Sequence, residues 1–228
     1  MKVVILAGGL GTRIPEYTKT IPKPMIKVCG KPIIHRIIDH YLKYGHTEFY
    51  IAVGYKSEVI KSYFKKNKIK DCKIKIVDTG LNTMTGGRLK RLSKLLGKNT
   101  FLMTYGDGLS DINLSSLINF HKKKQTLMTL TAVRPPARFG AIKILYNKVK
   151  YFKEKSNLDE GWINGGFFVI EPNIFKFIKN DKTYLERQPI EKIASLGQLS
   201  AFKHYGFWQC MDTLRDKEIL ENKIKKSS

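Results

Sequence analysis

A glycine-rich segment and a proline-flanked lysine lie close together near the start of the chain. Gly8, Gly9 and Gly11 follow a short apolar run, Arg13 comes next, and Lys23 stands between two prolines. Because glycine tolerates positive φ, the backbone N–H groups of such a loop can converge on an anion. The prolines stiffen the backbone that carries the Lys23 ammonium. Together these features favour the binding of phosphate.

The spacing of the glycines alone is weaker evidence for phosphate binding than the whole segment with its two cations. It matches neither the phosphate-binding pattern that ends in Gly-Lys-Ser or Gly-Lys-Thr nor the pattern Gly-x-Gly-x-x-Gly. A purely structural turn would explain the glycines by themselves. The two cations that follow, Arg13 and Lys23, favour an anion-binding loop over a simple turn.

Two aspartates stand at segment ends far apart in the sequence. Asp107 lies in YGDG at the end of a predicted strand, and Asp212 lies in MDT shortly before a predicted helix. Two carboxylates that converge from distant segments can hold one Mg²⁺, which prefers oxygen ligands completed by water and phosphate. The structural alternatives are a turn aspartate for Asp107 and a helix N-cap for Asp212.

Apolar runs alternate with helix-forming segments over the first 125 residues. The predicted strands are VVILAG, EFYIAVGY, KIKIVDTG and TFLMTYGDG, and the predicted helices are KPIIHRIIDHYLKYG, SEVIKSYFKK, GGRLKRLSKLL (opening after its two glycines) and LSSLINFHKKK. This alternation is typical of a parallel sheet covered on both faces. Ligands of such sheets bind beyond the carboxyl ends of the strands.

From Thr126 onward the pattern changes to successive strands. They are LMTLTAVRP, GAIKILYNKVKYFKEK with a turn at Asn147, WINGGFFVIEP and LSAFKHYG, and TLRDKEILENKIKK is a C-terminal helix. The sequence therefore predicts an α/β fold: a mostly parallel, Rossmann-like doubly wound sheet with an added antiparallel β element in the C-terminal half. With no repeat or linker, we expect one domain over residues 1–228.

The composition is strongly basic, with a formal net charge of +23. Of the 42 Lys and Arg residues only eight are arginine, and the lysines are scattered without aromatic residues between them. This favours a solvated lysine-rich surface over a nucleic-acid interface, although positive potential still attracts anionic substrates. Three widely separated cysteines indicate no disulfide framework. We expect a cytoplasmic protein without membrane association.

Several segments resemble one enzyme family. LAGGLGTR followed by PKPM resembles the signature of the sugar-1-phosphate nucleotidyltransferases. Downstream, VDTG, MTGGRLKR, TYGDG, FGAI, EK, INGGFFV and GFWQCMDTLRDK are similar, in order, to the glucose-1-phosphate cytidylyltransferase branch. The resemblance runs from Met1 to about Lys217. It implies that CTP and a sugar 1-phosphate, with α-D-glucose 1-phosphate as the best candidate, react to give a CDP-sugar and pyrophosphate.

The resemblance implies a role for each matching residue. Arg13 and Lys23 would be catalytic, binding the phosphates of CTP, and Asp107 and Asp212 would hold Mg²⁺. The implied nucleotide-binding residues are Ala7, Gly8, Gly9, Gly11, Thr12, Arg13, Lys23, Thr79, Gly86, Arg88, Tyr105 and Asp107. Tyr105 has an equally good interpretation as a core residue. Residues 1–125 would mainly bind the nucleotide.

Residues 126–228 would mainly bind the sugar phosphate. The resemblance implies that Lys155 contacts the phosphate of the sugar, that Glu154 reaches its hydroxyl groups, and that Asn164 and Gly165 admit the hexose. A strand bulge is the structural alternative for the glycine pair at 165 and 166. Ser156 stands where the family often has proline after the lysine.

One departure from the family leaves alternatives open. Between Phe64 and Val77 the chain lacks a longer insertion that takes part in subunit association in glucose-1-phosphate cytidylyltransferases. We still expect a homo-oligomer. Another phosphorylated acceptor, or dTTP or UTP in place of CTP, would use the same chemistry. A catalytically inactive nucleotide-sensing or RNA-binding module on the same fold is the alternative from a different functional class.

Overall fold

The computed structural model describes residues 1–135, 141–153 and 161–227. Its strands are β1 (Lys2–Ala7), β2 (Lys27–Val28), β3 (Lys31–Pro32), β4 (Glu48–Val53), β5 (Lys73–Asp78), β6 (Phe101–Tyr105), β7 (Gly108–Ser110), β8 (Met128–Val133), β9 (Ala141–Leu145), β10 (Lys148–Lys153), β11 (Ile163–Ile170), β12 (Leu199–Lys203) and β13 (Trp208–Cys210).

The helices lie between these strands and at the C-terminal end of the described chain. They are α1 (Pro15–Thr18), α2 (Ile33–Leu42), α3 (Ser57–Lys66), α4 (Thr85–Arg91), α5 (Ser93–Leu96), α6 (Leu114–Lys124), α7 (Gln188–Ser195) and α8 (Leu214–Ser227), with 3₁₀ turns at Lys23–Met25 and Pro172–Phe177. In the part of the chain that the structure describes, no helix combines the length and the apolar character needed to cross a membrane.

A seven-stranded sheet forms the centre of the molecule, in the order β12-β8-β11-β6-β1-β4-β5. Strands β6, β1, β4 and β5 are parallel to one another, and β12 is parallel to β8. Strand β11 is antiparallel to both of its neighbours, β6 and β8. The predicted α/β fold, mostly parallel with an antiparallel addition in the C-terminal half, is confirmed.

The five inner strands of this sheet are largely buried on both faces, whereas the edge strands β5 and β12 are partly exposed. In β1, Val3 and Ile5 pack into one apolar cluster with the side chains of α2, whereas Val4 and Leu6 pack into the other with residues of α4. A strand with alternating side chains and helices on both sides needs apolar residues at every position. This explains why VVIL is continuous rather than alternating.

The turn predicted at Asn147 is confirmed. Strands β9 and β10 pair as an antiparallel hairpin, and the two residues at its tip, Tyr146 and Asn147, have φ of 48° and 60°. Two successive residues with positive φ are typical of a type I′ hairpin turn, which matches the twist of the flanking strands. The hairpin is separate from the main sheet.

The helix predicted to open after Gly86 and Gly87 begins earlier. Helix α4 starts at Thr85 and includes both glycines. A Cβ on Gly86 would lie 2.8 Å from the carbonyl oxygen of Thr183, and one on Gly87 would lie 2.5 Å from Cα of Asp181. The glycines therefore let the first turn of α4 pack directly on the backbone of residues 181–183, and the sequence interpretation that placed them before the helix is wrong.

Substitution of Gly87 by alanine tests this close packing. Because the obstructing atoms belong to backbone, we expect Gly87→Ala to lower the free energy of unfolding by about 2 kcal/mol, the usual cost of overpacking. Gly161→Ala is the control, since an added Cβ there meets nothing within 4 Å. Urea denaturation followed by circular dichroism measures both, and equal midpoints for the two variants would contradict the packing account.

Candidate active site

The loops that follow β1 and β6 meet at one edge of the sheet. The two strands are parallel neighbours with Leu6 opposite Tyr105 in register. Their carboxyl ends therefore lie side by side, which brings the glycine-rich loop after Ala7 close to Asp107 in the loop after β6. Gly11 has a φ of 67°, and its missing Cβ leaves room for the side chain of Thr18.

A short antiparallel ribbon brings Asp212 to the same edge. Strand β13 pairs with β7, with Cys210 opposite Gly108. The pairing continues by one hydrogen bond, since the amide N–H of Met211 donates to the carbonyl of Asp107 at 2.9 Å. The backbone of residues 208–212 thus places the two distant aspartates next to each other.

Helix α8 is capped by residues other than Asp212. The Asp216 carboxylate accepts from the amide of Thr213 at 2.8 Å, while the Thr213 hydroxyl accepts from the amide of Asp216 at 3.2 Å. This reciprocal pair is a capping box. The alternative interpretation of Asp212 as the N-cap is therefore wrong, and its side chain is left for other partners.

Lys23 binds both aspartates at once. Its ammonium nitrogen lies 2.7 Å from Oδ2 of Asp107 and 2.6 Å from Oδ1 of Asp212. Nη1 of Arg13 lies 2.7 Å from the other oxygen of Asp212. The Lys23 side chain is only 9% exposed, whereas that of Arg13 is 73% exposed. We call these four side chains the ionic cluster.

The charges of the ionic cluster support one another. Burial disfavours the charged form of Lys23, but Asp107 and Asp212 outweigh it and raise the pKa of the ammonium. Burial also opposes ionisation of Asp212, yet hydrogen bonds and charge from Lys23 and Arg13 lower the pKa of its carboxyl group. Both groups are therefore held in their charged forms at neutral pH.

Cys210 lies beside the cluster but is not a nucleophile. Burial, followed by the charges of Asp212 and Asp107, raises the pKa of its thiol to about 12. The thiolate is the reactive form of cysteine. The thiol therefore stays protonated at neutral pH, and the cleft has no activated sulfur.

The ionic cluster opens into a cleft of about 540 Å³. Most of the residues predicted for the site line it: Ala7, Gly8, Gly9, Gly11, Thr12, Arg13, Lys23, Arg88, Tyr105, Asp107, Asn164, Gly165 and Asp212. The lining comes from the carboxyl ends of β1 and β6, from β11 and β13, from the turn that carries Lys23, and from the first turn of α4 with the residues before it. The predicted position of the ligand site, beyond the strand ends, matches this cleft.

The buried guanidinium of Arg88 braces the floor of the cleft. Nη2 donates to the carbonyl of Gly8 at 2.8 Å, and Nη1 donates to the carbonyl of Gly80 and the hydroxyl of Thr79, each at 2.7 Å. Further bonds reach the carbonyls of Val53 and Leu81. These contacts tie together the loops that follow β1, β4 and β5.

Two of the predicted nucleotide-binding residues lie outside the cleft lining. Thr79 is fully buried, with its hydroxyl donating to the carbonyl of Val53 and accepting from Arg88. Gly86 packs against the backbone of residues 183–185. Both support the cleft from behind. Glu154 and Lys155, predicted for the sugar phosphate, lie outside the described residues.

The bulge considered for the glycine pair of INGGFFV is present. The register between β11 and β8 shifts between Asn164 and Phe168, and Gly166 has a φ of 78°. Oδ1 of Asn164 accepts from the amide of Gly166 at 2.9 Å. Because Asn164 and Gly165 also line the cleft, the bulge forms part of the cleft wall.

Sequence reasoning missed a carboxylate that joins the two sides of the cleft. Glu186 accepts from the hydroxyl of Tyr105 and from that of Thr85, each at 2.6 Å. The pKa of the Tyr105 hydroxyl is raised well above its usual value by burial and then by Glu186. Tyr105, for which cleft and core interpretations were equal, thus belongs to both.

Trp208 is a second missed residue. Its indole nitrogen donates to the carbonyl of Gly165 at 2.7 Å, and its ring lines the cleft. It lies in the GFWQCMDTLRDK segment that carried the resemblance, so a signal was present. Glu186, in TYLERQ, has no such signal, because its partners are far away in the sequence.

The donor set at the cluster suits a hard divalent cation. Carboxylate oxygens of Asp107 and Asp212 already converge on one cationic nitrogen. Within residues 1–135, 141–153 and 161–227, no three His, Cys, Asp or Glu side chains form a group that could hold a metal by themselves. Mg²⁺ commonly takes one or two carboxylates and completes its shell with water and substrate phosphates.

Comparison with known proteins identifies the family. Residues 2–207 match the model of the family described as nucleotidyl transferase. The chain belongs to the nucleotidyl transferase family. It is 44% identical to a glucose-1-phosphate cytidylyltransferase of Salmonella typhimurium, over 97% of this chain and 95% of that protein. A probable glucose-1-phosphate cytidylyltransferase of Bacillus subtilis is 40% identical, over 97% and 94%.

A solved structure of the same fold covers nearly the whole nucleotidyl transferase chain. HddC from Yersinia pseudotuberculosis superposes with a TM-score of 0.79 at 25% identity, covering 98% of this chain and 99% of that one. Both the family and the fold expected from the sequence are thus confirmed.

Substitution of Arg88 by lysine tests its bracing role. A lysine ammonium cannot reproduce the planar set of N–H donors of the guanidinium. Buried carbonyl groups would therefore lose their hydrogen bonds, at a total cost of about 3 kcal/mol in the free energy of unfolding. We expect a lower free energy of unfolding and weaker nucleotide binding. Thermal melts and nucleotide titrations measure these effects.

Arg91→Lys is the matched control on the same helix, because Arg91 is half exposed and pairs with Asp181 at the surface. Its melting temperature should stay close to that of the unchanged protein. A melt of Arg88→Lys that coincides with that of Arg91→Lys would refute the bracing role.

Proposed function

We propose that this nucleotidyl transferase couples CTP to a sugar 1-phosphate, with α-D-glucose 1-phosphate as the preferred acceptor, and releases a CDP-sugar and pyrophosphate. The observation that carries the proposal is the ionic cluster in the cleft, where Lys23 lies within hydrogen-bond distance of Asp107 and Asp212, and Arg13 within that distance of Asp212. The names of the 44% and 40% identical relatives support the choice of base and sugar.

The reaction brings two anions together. An oxygen of the sugar phosphate attacks the α-phosphorus of CTP, a new phosphorus–oxygen bond forms, and the bond to the bridging oxygen breaks so that pyrophosphate leaves. Such displacement depends on alignment and on neutralisation of charge. Arg13 and Lys23 would bind the phosphate oxygens of CTP, and both line the cleft.

Enzymes of this family usually depend on a divalent metal. Asp107 and Asp212 would hold Mg²⁺. A Mg²⁺ ion bound there would neutralise the negative charge that develops on the phosphate oxygens. Lys155 would bind the phosphate of the acceptor sugar. Glu154 and Asn164 would bind the hydroxyl groups of the same sugar.

The cleft has separate nucleotide and sugar sides in this proposal. Residues 1–125 would mainly bind CTP through the loop after β1, and residues 126–228 would mainly bind the sugar. Glu186, which belongs to the second part of the chain, would fix the two sides relative to each other, because it accepts hydrogen bonds from Thr85 and Tyr105 of the first part. A homo-oligomer in the cytoplasm stays a prediction.

A panel of nucleotides tests the reaction. With glucose 1-phosphate and Mg²⁺, we expect pyrophosphate release from CTP at a rate at least about tenfold above that from UTP, dTTP, ATP or GTP, since hydrogen-bonding sites reject wrong bases strongly. A coupled phosphate assay measures the release. Preference for dTTP or UTP would overturn the choice of base, and no release with any nucleotide would favour a binding module.

Substitution of Asp107 by asparagine tests its role in the reaction. Loss of one charged group from a preorganised site typically lowers kcat by about 100-fold to 1000-fold, and we expect an effect of this size. Asp111→Asn is the control, because Asp111 is 57% exposed and pairs with His204 away from the cleft lining. A kcat for Asp107→Asn within twofold of that control would exclude the proposed role.

A further inference from the structure

The ammonium of Lys23 occupies the point on which both carboxylates converge. It lies within 2.7 Å of one oxygen of Asp107 and of one oxygen of Asp212, and the surrounding protein leaves its side chain only 9% exposed. Arg13 differs, because it reaches Asp212 alone, from the open side of the cleft. Lys23 is thus the cation that bridges the two aspartates.

Two demands on Lys23 compete. In the proposed function its ammonium binds phosphate oxygens of CTP, and the carboxylates bind a divalent ion. The ammonium already fills the convergence point of those carboxylates, so the ammonium and a divalent ion cannot both occupy it. A divalent ion can therefore bind between the two carboxylates only if the Lys23 ammonium leaves that position.

We propose that Lys23 is the built-in counter-ion of this site: it holds the position between Asp107 and Asp212 in the nucleotide-free enzyme and moves to the triphosphate when CTP binds. A divalent ion then enters together with the nucleotide rather than before it. This inference rests on the proposed function and adds an order of binding to it.

Electrostatics gives the physical reason for the exchange. Two ionised carboxylates close together in a partly buried cleft repel each other, and a cation between them relieves that repulsion. A divalent ion that enters the empty enzyme must first break two charge-assisted hydrogen bonds of Lys23. With a triphosphate present, the ammonium regains bonds of the same kind to phosphate oxygens, so the cost of displacement falls.

The local backbone permits this movement. Lys23 lies between Pro22 and Pro24 and is the first residue of the 3₁₀ turn Lys23–Met25, whose residues are all buried. The prolines hold the backbone, while the four-carbon stem of lysine has rotatable bonds that let its nitrogen move. The side chain can therefore change partner without a rearrangement of the loop.

Binding of Mn²⁺ alone, followed by the electron paramagnetic resonance signal of the free ion, tests the proposal without catalysis. We expect nucleotide-free Lys23→Met to bind Mn²⁺ at least about tenfold more tightly than the unchanged protein, because the competing cation is gone. Relative to a protein-free titration of Mn²⁺ with CTP, which corrects for Mn²⁺ bound by CTP itself, CTP should tighten Mn²⁺ binding by the unchanged protein more than by Lys23→Met. Lys23→Gln repeats the measurement with a polar side chain in case the methionine variant unfolds.

The matched control is Arg13→Met, which removes a cation from the same Asp212 but not from the bridging position. We expect it to change Mn²⁺ affinity by less than about threefold, since Arg13 is exposed to solvent. The double variant Lys23→Met with Asp107→Asn should not show the higher Mn²⁺ affinity expected of Lys23→Met, because one of the two carboxylates is gone.

Equal affinities of Lys23→Met and the unchanged protein, or an equal gain in Arg13→Met, would overturn the exchange. The proposed function fails by a separate result, the absence of pyrophosphate release, so the two failures are distinguishable. Absence of any Mn²⁺ binding beyond the amount that CTP binds without the protein would overturn the exchange and the metal-binding role of both aspartates together.

Discussion

The salt bridges of one buried lysine with two aspartates are the interactions on which the site depends. Lys23, Asp107 and Asp212 come from three distant parts of the chain, yet the ammonium nitrogen of Lys23 lies 2.7 Å from an oxygen of Asp107 and 2.6 Å from an oxygen of Asp212. A buried ammonium without carboxylates would be strongly destabilising. The segments that carry these residues must therefore close on one another, and their closure forms the cleft.

Backbone pairing delivers these segments to one place. The parallel neighbours β1 and β6 bring the glycine-rich loop to Asp107, and the ribbon of β7 and β13 brings Asp212. The guanidinium of Arg88 then ties the loop after β1 to the loops after β4 and β5. The backbone segments that carry the charges are held by strand pairing and carbonyl contacts that do not depend on the ligand, which is the preorganisation that electrostatic catalysis requires.

Much of this was predictable from local sequence signals. The continuous apolar strands and the proline-flanked Lys23 carry their information within a few residues. The capping box of Thr213 and Asp216 was also readable, because its spacing is local. The close packing of Gly87 on Asp181 and the two contacts of Glu186 were not, since each joins residues about 80 to 100 positions apart that only the folded chain brings together.

The role of Lys23 and the two aspartates is tested most directly by the position of the metal in crystals grown with Mn²⁺ and a non-hydrolysable analogue of CTP. We expect an anomalous scattering peak at an ion bound by the carboxylates of Asp107 and Asp212, with the ammonium of Lys23 moved onto the phosphates. A peak elsewhere in the cleft, with Lys23 still between the two aspartates, would contradict it.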